Sequence, residues 1–75
     1  MAKLPRLSGR EVIGALSKIG FKPARQKGFH IILIRENQEG KKAVVVPNHQ
    51  EIDKGTLLEI IRQAGLKRDE FFELL

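Results

Sequence analysis

Within Arg25-Gln26-Lys27-Gly28-Phe29-His30 a histidine follows two cations and a glycine, and this stretch holds the best-placed group for chemistry in the chain. An imidazole titrates at roughly pH 6.5, so His30 can give or take a proton close to neutral pH. Lys27 is the nearest cation in sequence and could balance negative charge building on an anion. Arg25 could hold a phosphate through both ends of its guanidinium. Gly28 can take a positive φ with no Cβ to obstruct it, which suits a tight turn ahead of His30. The plainer reading is a solvated, basic hairpin with a surface histidine, and the surrounding elements have to decide between the two.

Composition narrows the field. A chain of 75 residues buries only about 60% of its unfolded surface, which leaves room for a single domain over residues 1–75 with one core and one site. Fourteen Lys and Arg against nine Asp and Glu give a formal charge of +5 and a pI near 10.0. A polyanion is the natural partner of such a charge. A membrane surface fits poorly, because no helix pairs a basic face with Trp or Phe. The absence of cysteine excludes thiolate chemistry and disulfide staples and suits the cytosol. Two histidines well apart, with no cysteine or close carboxylate cluster, make a poor metal set, so neither metal nor cofactor is expected. Met1-Ala2-Lys3-Leu4-Pro5-Arg6 leads to no sustained apolar run, which speaks against a signal peptide or a membrane span.

The elements that must position His30 are legible in turn. Ser8-Gly9-Arg10-Glu11 has the form of a capping box, and Val12, Ile13, Leu16 and Ile19 form the apolar stripe of the helix that follows it. Leu7 and Val12 can staple its start, and Gly20 can end it. Phe21 to Gln26, with Pro23 unable to donate to a ladder, reads as an edge strand. Lys27-Gly28 reads as the turn. Phe29 to Arg35 is the next strand, with Phe29, Ile31 and Leu33 on one side and His30, Ile32 and Ile34 on the other. Asn37 to Gly40 forms a polar loop, and Ala43 to Val46 a third strand ended by Pro47. Asp53 can cap a second helix through the Thr56 amide, with Leu57, Leu58, Ile60, Ile61 and Ala64 on its buried side. Arg68 to Leu75 should form a short terminal helix, for which Lys67 is a poor cap. The order helix, three strands, helix describes an α+β sandwich: a three-stranded antiparallel sheet with helices on one face.

Four landmarks stand in order: Ser8-Gly9-Arg10-Glu11 with Gly20-Phe21, then Arg25 to His30, then Val46-Pro47-Asn48-His49, then Lys54-Gly55-Thr56-Leu57 through Arg62-Gln63-Ala64-Gly65-Leu66. Together they resemble the HicA-type (YcfA-like) toxin family over nearly the whole chain. The resemblance implies a double-stranded-RNA-binding-like fold, metal-independent cleavage of messenger RNA in the cytoplasm, and neutralisation by a HicB-type antitoxin. It also implies that His30 is the catalytic residue, and it brings in His49 and Lys54 as further site candidates beside Lys27, Arg25 and Gly28. In that family the residue before the histidine is usually serine, and here it is Phe29, which removes a hydroxyl and places a bulky ring beside His30.

Three readings follow. The first is a toxin endoribonuclease with His30 as general acid or base and Lys27 as electrostatic support. The second is an RNA-binding module of the same fold in which Phe29 has ended turnover. The third is a protein-interaction domain using the apolar second strand and the phenylalanines near the C-terminus.

Overall fold

In the computed structural model, which describes residues 4–75, the chain runs α1 (Gly9–Ser17), β1 (Lys22–Lys27), β2 (His30–Asn37), β3 (Gly40–Pro47), α2 (Lys54–Gln63) and α3 (Arg68–Phe72). Met1, Ala2 and Lys3, where the reading of the N-terminal stretch begins, lie outside the described residues.

The expected capping box starts α1. The Glu11 amide donates to Ser8 Oγ at 3.1 Å, and the Ser8 amide donates to Glu11 Oε1 at 2.9 Å, so two otherwise orphaned donors are satisfied reciprocally. At the other end the Phe21 amide reaches the Leu16 carbonyl and the Gly20 amide the Ser17 carbonyl, the paired bonds of a Schellman motif. Asp53 caps α2 through both the Thr56 amide and hydroxyl, and these bonds, the hydroxyl first, lower its carboxyl below the ordinary carboxylate range. Lys67 offers α3 no side-chain acceptor. Its amide is instead taken by Glu70 at 2.7 Å, and the helix closes at Phe72 rather than continuing to Leu75.

The strands form one antiparallel sheet in the order β1-β2-β3. The helices cover one face of it: Val12, Ala15 and Leu16 of α1 and Leu57, Ile60 and Ile61 of α2 share a core with Leu33, Val44 and Val46. Alternation then turns His30, Ile32 and Ile34 to the uncovered face. Ile32 and Ile34 stay half-buried there, and their neighbour Val45 is 40% exposed. Phe71 is wholly buried, whereas Phe72 packs against the core and stays partly exposed, so of the two only Phe72 keeps apolar surface near the C-terminus. Among the described residues no helix is long and apolar enough to cross a membrane.

The boundaries of both hairpin turns differ from expectation as well. Lys27 is the last residue of β1, and the turn is Gly28-Phe29, because Gly28 takes φ +60° as its first central residue. Phe29 has no positive φ, so the pair follows the type II′ pattern, whose twist matches the flanking strands. Phe29 is therefore a turn residue. At the other end, β3 begins at Gly40 because Lys41 and Lys42 pair with Glu36 and Arg35.

The outer edge of β3 is partly closed by α2. The Val45 amide donates to Gln63 Oε1 at 3.1 Å, while Gln63 Nε2 donates to Glu59. Glu59 in turn takes both guanidinium ends of Arg62, whose hydrogen bonds hold its carboxyl down at about 2.

Candidate functional site

The turn at Gly28-Phe29 sets the site. Lys27 and His30 flank it as directly paired residues, so they share a face of the sheet with Cβ atoms about 5 Å apart. Arg25 pairs with Ile32, the next residue of β2 on that face, and so lies one step behind Lys27 on the same side. Strict alternation would turn Lys22 away from Arg25 and Lys27. Instead an irregularity between Pro23 and Arg25 shifts the register, and Lys22 pairs with Ile34. The β-bulge thus adds Lys22 to the row, which becomes Lys22, Arg25 and Lys27 facing Ile34, Ile32 and His30. No Asp or Glu occurs between Glu11 and Glu36 in the sequence, so no carboxylate of β1 or of this turn offsets these cations.

The segment after β3 is tied by main-chain hydrogen bonds both to this end of the sheet and to the start of α1. The Asn48 amide donates to the Phe29 carbonyl at 2.6 Å, the Gly9 amide to the His49 carbonyl at 2.9 Å, and the Ile52 amide to the Leu7 carbonyl at 2.7 Å. The close approach requires glycine at the start of α1, since a Cβ on Gly9 would run into the Pro47 carbonyl oxygen. In consequence the His49 ring lies against Phe29, with centroids 6.2 Å apart and planes inclined by 57°. Gln26 Nε2 donates to the Gly28 carbonyl at 3.1 Å and braces the turn from the other strand.

The site is open. His30, His49, Lys27 and Arg25 are exposed, and nothing stands within 4 Å of where a Cβ would sit on Gly28. Among the described residues neither imidazole makes a side-chain hydrogen bond. No group of three His, Asp or Glu residues among those described is placed to hold a metal ion.

Lys54 lies elsewhere. It lines a groove of about 400 Å³ with Leu4, Pro5, Arg6, Glu51, Ile52 and Asp53, and no hairpin residue takes part in that groove. The structure thus brings Arg25, Lys27, Gly28, His30 and His49 together at one end of the sheet and sets Lys54 at a separate groove. Two contributors escaped the sequence reading. The signal for Lys22 was the proline beside it, a residue common at bulges and edges. Phe29 read as a strand residue crowding His30, whereas the residue is 72% exposed at the turn.

The sequence model of the family described as "HicA toxin of bacterial toxin-antitoxin" matches residues 9–66, and the chain belongs to that family. The matched span runs from the first residue of α1 to just past α2 and includes every site residue named above. Membership makes the chain the toxin of a toxin–antitoxin system, with an antitoxin as its partner. A search of the curated proteins found no match.

Proposed function

We propose that the toxin acts as a metal-independent endoribonuclease and that the end of the sheet at Gly28-Phe29 is its active site. The observation that carries this reading is the direct pairing of Lys27 with His30, which sets a cation beside a proton-transfer group on an open, basic face. RNA supplies its own nucleophile. A base takes the 2′-hydroxyl proton, the oxygen attacks the adjacent phosphorus, the bond to the 5′-oxygen breaks, and that oxygen receives a proton. The products are a 2′,3′-cyclic phosphate and a 5′-hydroxyl.

His30 performs one of the two proton transfers, and such a group contributes on the order of a hundred- to ten-thousandfold. Lys27 stabilises the charge that grows on the phosphoryl oxygens. Arg25 and Lys22 hold the strand's neighbouring phosphates, and the bare Gly28 lets the backbone approach one of them. His49, whose ring meets Phe29, contacts the RNA beside the turn. Lys54 serves phosphates further along the strand. In this reading the substrate is messenger RNA, the antitoxin is of the HicB type, and the setting is the cytoplasm.

The test is the chemistry of the products. Wild-type protein in excess chelator should cut a short RNA and leave 2′,3′-cyclic phosphate ends, and a strand carrying a 2′-deoxy sugar at the cut position should survive. Cutting of the deoxy strand, or loss of activity in chelator, would sink the mechanism.

A further inference from the structure

Phe29 is the most exposed large apolar side chain among the described residues, at 72%, and it sits between two groups of the site, Lys27-Gly28 and His30. An isolated exposed apolar residue ordinarily needs no explanation. This one differs in how it is held. Its carbonyl accepts the Asn48 amide at 2.6 Å, the preceding carbonyl accepts Gln26 Nε2 at 3.1 Å, and one side of its ring meets His49. The backbone under the ring is pinned while the ring itself remains in water.

We infer that Phe29 is a stacking platform for an unpaired base of the RNA, next to the phosphate that His30 attends, so that the toxin selects single-stranded over duplex substrate. The inference rests on the reading of the site as an RNA-cleaving one. Every base has a face that stacks on an aromatic ring, and bases are available for this only when out of a duplex. The base does not slip between Phe29 and His49: intercalation needs parallel rings about 7 Å apart, twice the 3.4 Å repeat of stacked bases, and these are 6.2 Å apart and inclined by 57°. It takes the face of Phe29 turned from His49, with His49 backing the ring. The row of Lys22, Arg25 and Lys27 along β1 then carries the adjoining phosphates. That row favours RNA as the occupant over an apolar pocket on a protein, because an apolar anchor at the end of a strand that carries cations and no carboxylate matches a base attached to phosphates.

The test uses the full chain and a short 2′-O-methyl RNA, which cannot supply the nucleophile and so is not cut. Phe29→Ala should weaken binding of the single strand by roughly five- to a hundredfold while leaving duplex binding unchanged. Phe29→Leu should behave like Phe29→Ala, and Phe29→Trp should retain affinity. The chain contains no Trp or Tyr, so the new indole is the sole reporter at its wavelength, and its emission should be quenched by the single strand and not by the duplex. Equal single-strand affinity in Phe29→Ala and wild type, or wild-type affinity in Phe29→Leu, would overturn the stacking role while leaving the nuclease reading standing. If wild-type protein binds no RNA at low salt, both fail together. If Phe29→Ala loses only the antitoxin, the ring is a protein anchor and the inference is wrong.

Discussion

Strand β2 has a hairpin turn at each end, and the two turns share a length and differ in nearly everything else. At Gly28-Phe29 the flanking pair is Lys27 and His30, and at Gln38-Glu39 it is Asn37 and Gly40. The first turn is braced by Gln26 and tied to the segment after β3 through the bond from Asn48 to Phe29. The second is closed locally, by the Glu39 amide donating to Asn37 Oδ1 at 2.9 Å. Lys22, Arg25 and Lys27 line the strand that enters the first turn, whereas Glu36 and Glu39 stand at the second. The lesson is that a hairpin qualifies as a candidate site when other elements fix it and when its charges are of one sign. A turn held only by its own residues connects strands.

Charge separates the two turns most sharply. Lys27→Ala should lower the rate of RNA cleavage on the order of ten- to a hundredfold, less than the loss of an enclosed oxyanion donor because Lys27 is exposed. Lys41→Ala, beside the other turn, should change it less than twofold. Equal losses from the two variants, measured as single-turnover rates, would mean that the basic row on β1 has no special role.

A smaller effect should follow from loosening the pins. Gly9→Ala sets a Cβ against the Pro47 carbonyl, so either α1 or the 47–49 segment must shift, at a cost of roughly 1–3 kcal/mol. Hydrogen exchange at the Asn48 amide should quicken while exchange at the Glu39 amide stays as it was. Unchanged protection at Asn48 would show that the first turn does not depend on α1.

Much of this was legible in the sequence because it is local. The capping box of Ser8 and Glu11, the Asp53 cap on Thr56 and the stop at Gly20 each involve residues a few positions apart, and each forms as the residue types require. The alternation of β2 separated Ile31 and Leu33 from His30, Ile32 and Ile34, but with apolar groups in both sets it left open which face meets the helices, and packing chose the Leu33 face. What was hidden is long-range. The contact of His49 with Phe29 depends on bonds between segments far apart in the chain, and the Gly9–Pro47 approach has no signature beyond a glycine already explained by its helix start. The bulge that gives Lys22 to the site reverses what alternation predicts, so counting along β1 misplaces that cation. The half-buried Ile32 and Ile34 lie on the uncovered face because Leu33 between them takes the covered one.

The proposed catalysis rests most directly on His30. Wild-type protein and His30→Ala should be compared on one RNA under single-turnover conditions, after their melting curves have been matched, since His30 is exposed and its loss should leave the fold intact. The expected result is a fall in cleavage rate of roughly a hundred- to ten-thousandfold in His30→Ala. Equal rates in the two proteins would contradict the assignment of catalysis to this end of the sheet.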